Sequence, residues 1–288
     1  MEQLHGAVVN VVSNNPGAGA TTLKKNLSRE YGLVALSAGD FRTTLVFDYE
    51  RQKKSWAHFR RSYISLWERG GIQSVIDHLS DSLSSASQVG NGGLVRFNDR
   101  ASKDYAPFAD DWKIWDWMTD AYTLNRIRTL LQDGKSVVGE GDLIIAIHAV
   151  DQVKEEAQKL AEEFPTLPHT TFNYLLHVTP TVAAKRIEER EKQLSGENYR
   201  PLSLEARLQQ IQALQRDDYD RYSNIYTLEG IPLSIAEYNA RNAKEVSTMN
   251  NTAQKVEAIV VSDICEKLST LGETHPELSA HVLKHFSK

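Results

Sequence analysis

The stretch SNNPGAGATTLKKNLS, residues 13–28, decides how the rest of the chain is read. It follows AVVNVV (7–12), a short apolar run with the composition of a buried strand. It runs into residues 21–31, whose apolar spacing predicts a helix. Strand, glycine turn and helix, in that order, form the context in which backbone N–H groups cradle phosphate. The phosphate-loop pattern is G-x-x-x-x-G-K-[ST]. Here Asn14 stands at the first glycine, Gly19 at the second, Ala20 at the lysine and Thr21 at the hydroxyl.

Working outward, LVALS (33–37) reads as a second strand, so the first part of the chain forms a βαβ unit and hence a parallel sheet. A third strand is expected at 136–139, entered through the Asp133-Gly134 turn. A fourth is expected at 171–178, between Pro168 and Pro180, and a weak fifth at 244–249. Helical patterns cover 112–132, 151–164, 182–193, 204–226 and 252–271, with a short helix in the tail. The serine- and glycine-rich segment 80–93 reads as a mobile loop. Residues 48–110 are too many for a simple crossover and read as an insertion with its own helices. Together these elements predict an α/β chain with the three-layer αβα fold of P-loop NTPases. It has a central parallel five-stranded sheet, a helical lid over about 183–215, and the insertion between strands 2 and 3. The expected organisation is a core of 1–47 and 111–271, an acceptor-region insertion at 48–110 and a tail at 272–288.

The bulk properties fit this. With 288 residues, 41% hydrophobic and 25% charged, the chain has the composition and length for a large core with a lid. A net charge of -5 argues against a protein coated in nucleic acid and leaves room for a local basic pocket. The single cysteine, Cys265, excludes an intrachain disulfide and a cysteine-rich zinc site, and points to the reducing cytoplasm. No run approaches the roughly 18 apolar residues of a membrane span, so no membrane partner is expected. The nine histidines lack ligand spacing.

The chemistry of the turn follows from its residues. Gly17 and Gly19 let N–H groups point inward at an anion, and the helix N-terminus adds partial positive charge. Asn15, Pro16, Gly17, Ala18, Gly19, Ala20, Thr21 and Thr22 are the expected donor-nucleotide set, with the Thr21 hydroxyl on Mg²⁺. Alanine in place of lysine keeps the amide donors. It removes the cation that follows charge into a phosphoryl-transfer transition state. Ala20 admits three explanations: a non-catalytic protein, a substitute cation from Lys24 or Lys25, or a replacement that disables an ordinary GAGKTT loop. The bland alternative is a tight turn that holds no ligand.

VALSAGDFR (34–42) adds a second motif. A strand ending in Ser-Ala-Gly-Asp and followed by Phe-Arg resembles the cytidylate kinase family, particularly its archaeal-type members. That resemblance implies that Ser37 and Arg42 hold a nucleoside monophosphate, with Asp40 nearby. AAKRIEERE (183–191) looks like the start of the family's lid, with Arg186 and Arg190 one turn apart and able to close over phosphates. RDDYDRY (216–222) looks like its late-helix motif, which implies that Arg216 contacts phosphate and Asp220 orients the site. The alternative for these arginines is a solvated, salt-bridged helix face. The similarity spans most of the chain in the correct order and implies ATP and Mg²⁺ as cofactors and a nucleotide as acceptor.

The departures concern the acceptor. VVGEGDL (137–143) looks like the family's E-G-R-L strand end, but Asp142 replaces the arginine that helps recognise the cytosine nucleotide. A second late-helix arginine would fall near Ser223 and is absent. Glu140 or Asp142 could serve Mg²⁺ through water, or Asp142 could contact the base. Arg126 and Arg128 could supply the lost acceptor contacts. The insertion interleaves cations with Trp56, Phe59, Tyr63 and Trp67, which form either a helix core or a base-stacking platform beside Arg60 and Arg61. Trp112, Trp115 and Trp117 form a second aromatic group. The sequence thus predicts a nucleotide kinase-like phosphotransferase acting on a CMP-like, dCMP-like or modified nucleotide, conceivably within a DNA strand, and impaired by Ala20. A non-catalytic nucleotide-binding or scaffold protein of the same fold is the alternative.

Overall fold

Strand β1, Ala7–Ser13, lies at the centre of the sheet because five of its seven residues are apolar, four of them β-branched valines. The computed structural model describes residues 6–37, 41, 44–45, 48–49, 52, 55–86, 112–140, 169–223, 227–228, 231–232 and 243–287. After β1 come helix α1 (Ala20–Tyr31) and strand β2 (Val34–Ser37), then helices α2 (Trp56–Ala86) and α3 (Trp112–Gln132). Strands β3 (Val137–Glu140) and β4 (Thr170–His177) follow, then helices α4 (Pro180–Ser195) and α5 (Leu204–Ser223). The chain ends with β5 (Thr227–Leu228), β6 (Ile231–Pro232), β7 (Lys244–Ser247), α6 (Ala253–Leu271) and α7 (Pro276–Phe286).

The fold is α/β, with a five-stranded all-parallel sheet in the order β2-β3-β1-β4-β7, flanked by helices. β1 pairs with β3 on one side (Val9 opposite Val138) and β4 on the other (Val11 opposite Tyr174). Strand order therefore reverses at β1. In open parallel sheets, ligands bind in the crevice beyond the carboxyl ends of strands at such a switch point. Alternate residues of β1 enter different layers. Val9 and Val11 join Val138, Phe172, Tyr174 and Leu176 against Leu23 and Leu27 of α1, Val260 and Ile264 of α6, and Val282 of α7. Val8 and Val12 are buried on the other face. There Asn10 donates from Nδ2 to Asn173 Oδ1 of β4 at 2.8 Å.

A polar knot fastens α6 to the sheet. Asp263 is buried and accepts from the Tyr174 hydroxyl of β4 at 2.7 Å, Lys267 Nζ at 2.9 Å and Lys244 Nζ of β7 at 2.5 Å. Burial alone would raise the Asp263 carboxyl. The hydrogen bonds from Lys244, Lys267 and Tyr174 outweigh it and hold the carboxyl below its ordinary range. Burial, reinforced by Asp263, pushes the Tyr174 phenol well above its ordinary value.

Contacts divide the chain into two units. One is Met1–Leu36, Ile127–Gln152 and Pro165–Lys288; the other is Ser37–Arg126 and Val153–Phe164. In the first, the tail helix α7 contributes Leu278, Val282 and Phe286 to the core. In the second, α2 breaks at Gly70 and Gly71, which leave helical geometry (Gly71 at φ 59°). Its aromatic side chains settle the alternative left open by the sequence: Phe59, Tyr63 and Trp67 are buried, and with Trp115 of α3 they are core, not a base-stacking platform. Trp56, half-buried, packs against Phe59 and Trp115. Tyr63 donates to the fully buried Asp48 at 2.6 Å, which satisfies a carboxylate inside this core.

The sheet strands lie within a residue or two of their expected positions. The loop expected at 80–93 is corrected over 80–86, which continue α2. The helix that buries Ile72, Val75 and Leu79 runs on because no glycine or proline stops it there, and serine is only mildly unfavourable in a helix. The helix expected at 204–226 is described over Leu204–Ser223. The two-residue strands of the β5–β6 hairpin are too short to show periodicity and were not anticipated. The helix expected at 151–164 lies outside the described residues.

Candidate phosphate-binding site

The loop after β1 is set by two glycines and two asparagines. Gly17 has φ 84° and Gly19 φ 104°, the left-handed region that side chains disfavour. Asn14, in place of the first glycine, uses its side chain as a piece of backbone. Its Nδ2 donates to the Val178 carbonyl at 3.1 Å, and its Oδ1 accepts from the Val178 N–H at 2.9 Å. Asn15 is buried and donates to the same carbonyl at 2.8 Å. Gln215 of α5 donates to Asn14 O at 3.0 Å and to Asn15 Oδ1 at 2.7 Å. The turn is thus tied to β4 on one side and α5 on the other.

α1 is preceded by Gly19 as its cap position, with no side-chain cap and no acidic residue in the first turn. Its first N–H groups are left for another acceptor, with the positive end of the helix dipole behind them. They face a cleft of about 590 Å³, lined by Pro16 to Leu23 along with Arg186, Arg190, Thr248 and Asn251, among others. That volume lies in the range of small-molecule sites.

Two arginines of α4 enter this cleft together. Arg186 donates from Nη1 to the Gly17 carbonyl at 3.3 Å and to Thr248 Oγ1 at 3.0 Å, and from Nη2 to the Thr248 carbonyl. Arg190, one turn further, is exposed and lines the same cleft. The salt-bridged face of the hairpin is formed by other residues: Glu188 pairs with Lys192 at 2.8 Å, and Arg207 of α5 with Glu191.

Neither candidate substitute for the missing lysine reaches the cleft. Ala20 lines it. Lys24, one turn on, is only 7% exposed and puts its Nζ 3.1 Å from Glu140 Oε1 at the end of β3. Lys25 is exposed and is not among the lining residues. For the expected metal, Thr21 offers one exposed hydroxyl at the cleft, while Glu140 holds the Lys24 ammonium. Among the described residues no group of three acidic, histidine or cysteine side chains could hold a metal ion. Asp142, the other acidic candidate at this strand end, lies outside the described residues.

Of the five expected acceptor residues, Ser37 and Arg126 are described. Ser37 is half-buried at the end of β2, and Arg126 is exposed on α3, both in the second unit. Asp40, Arg42 and Asp142 lie outside the described residues. Arg216 and Asp220 are on α5, next to the loop-binding Gln215, but their side chains lie outside the described set. Three contributors escaped sequence reasoning: Asn14 as a backbone mimic, Gln215 as a brace and Thr248 as the arginine's partner. Asn14 lay within the recognised loop and Gln215 adjoined RDDYDRY.

Among the described residues no helix is long and apolar enough to cross a membrane. No family model matches the chain, and no curated protein matches it in sequence. Solved structures do: one match is a Chloroflexus aurantiacus protein described as a "putative kinase". It shares 15% identity with this chain over 93% of this chain and 99% of its own, with a TM-score of 0.38. A superposition that loose carries no residue-level correspondence.

Proposed function

We propose that the cleft binds the phosphates of a nucleoside triphosphate such as ATP, and that the fold serves phosphoryl transfer to a nucleotide-type acceptor. The observation that carries this is the convergence of Arg186 and Arg190 on the cleft that the Gly17–Gly19 turn and the uncapped α1 terminus also line. Backbone donors and two guanidiniums aimed at one cavity match the positioning and electrostatics that phosphoryl transfer requires. In this role the loop amides hold the donor's phosphates. Arg186 exchanges its carbonyl partners for phosphate oxygens, a stronger charge-assisted interaction. Arg190 covers the phosphates from the lid. Ser37, Asp40, Arg42, Arg126 and Asp142 are the acceptor candidates from sequence, and Arg216 and Asp220 the late-helix ones. A CMP-like, dCMP-like or modified nucleotide fits that set; a nucleotide within a DNA strand is the less favoured acceptor.

A second function, nucleotide binding without turnover, is favoured by one observation: Lys24 is bound to Glu140 and, among the described residues, no lysine lines the cleft. Loss of a key transition-state charge costs on the order of 3 kcal/mol, or 10²–10³-fold in rate. The chain is therefore expected to bind nucleotide and to transfer phosphate slowly.

Calorimetric titration with ATP, followed by assay of wild type and Ala20→Lys against a panel of nucleotides, tests both. ATP binding by wild type, with kinase activity appearing in Ala20→Lys, supports the kinase. ATP binding with no activity in either chain supports the non-catalytic function. No ATP binding in either chain overturns both.

A further inference from the structure

A second cleft adjoins the phosphate cleft, within the same unit of the chain. It has a volume of about 600 Å³ and lies between α1 and α6. Thr22 of α1 and Ala253 of α6 line both clefts, so the two meet at these residues. From Thr22 the second cleft follows α1 as far as Tyr31, about 13 Å along the helix. One turn beyond Thr22, Asn26 donates from Nδ2 to Glu257 Oε2 of α6 at 2.9 Å. Glu257 is half-buried and lines the cleft. The Tyr31 phenol is raised above its ordinary value by burial and then by the neighbouring Glu257 carboxylate. At the far end the rings of Tyr31 and Phe286 pack with centroids 5.3 Å apart.

We propose that the second cleft takes the sugar of the nucleotide whose phosphates lie on the Gly17–Gly19 turn, with Glu257 accepting from the sugar hydroxyls; the inference rests on the nucleotide-binding function given above. Three features support it. The first is chemical. An ionised carboxylate has about four acceptor positions, so the bond from Asn26 and the contact with Tyr31 leave capacity for a diol. Acidic side chains hold ribose hydroxyls in this manner in dinucleotide sites. The second is charge. The phosphate cleft has Arg186 and Arg190, whereas the second cleft has Arg29, which faces Glu30 at 2.6 Å. Phosphates therefore gather in the first cleft, and the second suits an uncharged, hydroxyl-bearing part of the ligand. The third is order. Thr22 belongs to the first turn of α1, where the phosphates are held, and Asn26 lies about 6 Å further along the axis. A ligand that passes Thr22 reaches Glu257 next. Asn26 is a positioning residue here, because it acts by orienting the carboxylate.

The test compares ATP, 2′,3′-dideoxy-ATP and inorganic tripolyphosphate by calorimetry in one buffer with excess MgCl₂, with far-ultraviolet circular dichroism as the fold control. Wild type is expected to bind ATP at least about tenfold more tightly than the dideoxy compound, the scale of hydrogen bonds to a charged acceptor. Glu257→Ala should abolish that preference without weakening tripolyphosphate binding. The ratio of the two nucleotides cancels any general effect of removing a negative charge. Gln254 is exposed on α6 and lines the second cleft only. Gln254→Trp should fill the groove and weaken ATP about tenfold or more, with tripolyphosphate unchanged. If Glu257→Ala fails to fold, the wild-type ratio and Gln254→Trp decide. Wild type that binds ATP and its dideoxy form within about threefold overturns this inference and leaves nucleotide binding standing. So does a folded Glu257→Ala that keeps the preference, or a folded Gln254→Trp that binds ATP as wild type does. Wild type that does not bind ATP overturns the inference and the nucleotide-binding function together.

Discussion

Arg186 of α4 and Thr248, just past the end of β7, are joined by two hydrogen bonds, one from Nη1 to the side-chain oxygen at 3.0 Å and one from Nη2 to the backbone carbonyl. The same guanidinium donates to Gly17 O. One side chain thus spans the mouth of the cleft from α4 to the glycine turn and the sheet edge. These hydrogen bonds fix the guanidinium's orientation at the cleft.

Arg186→Ala is expected to weaken ATP binding by 10- to 100-fold, in line with about 1.5–3 kcal/mol for hydrogen bonds to a charged group. Arg186→Lys should recover only part of this, because a point charge cannot fork between two acceptors. Thr248→Val keeps the backbone carbonyl and should bind nearly as wild type. Calorimetric dissociation constants for the three variants check the order.

Gly17→Ala is expected to destabilise the fold by about 1–2 kcal/mol through the left-handed backbone alone. The new methyl also meets Ala183 O at 3.3 Å. Gly19→Ala meets nothing within 4 Å and should show the backbone cost without the clash. Urea denaturation of both variants distinguishes the two effects, with Gly17→Ala the less stable.

Lys24→Met leaves Glu140 without its ammonium and should cost about 3 kcal/mol, the lower end of the range for breaking a buried pair, since the Glu140 side chain is 22% exposed. Replacing both as Lys24→Met/Glu140→Gln removes the charge conflict and should cost clearly less. The difference, read from a double-mutant cycle in urea, is the coupling of the pair. A cycle that closes at zero would show the ion pair to be incidental.

Stability should respond to pH through the knot on α6. The Asp263 carboxyl is held below its ordinary range in the folded state. Its contribution is therefore fully present above the unfolded value, about 3.9, and is lost as pH falls from there through the folded value. Tyr174 has the opposite sign. Its phenol is raised, so its contribution is intact below the unfolded value of about 10 and fades at higher pH. Asp263→Asn should flatten the acid limb of a stability-versus-pH curve, and Tyr174→Phe the alkaline limb. Urea midpoints across the pH range provide the measurement.

The sequence by itself determined the sheet and the place of the loop. A β-branched run such as AVVNVV has few alternatives to a buried strand, and Gly17 and Gly19 before a helix fix where the chain turns, because both signals are local. It also put Arg186 and Arg190 on one face of a helix, since residues four apart must share it. It did not determine that Lys24 would bind Glu140, that Gln215 and Asn14 would brace the turn, or that Phe59 and Tyr63 would be core. Those outcomes depend on residues far apart in the chain. Asn14 meets Val178 and Lys24 meets Glu140 only after strand crossovers bring them within hydrogen-bonding distance. Position 20 shows the division most plainly. The sequence removes a lysine from the loop, and only the tertiary structure decides that the next lysine on that face neutralises a carboxylate and does not face the cleft.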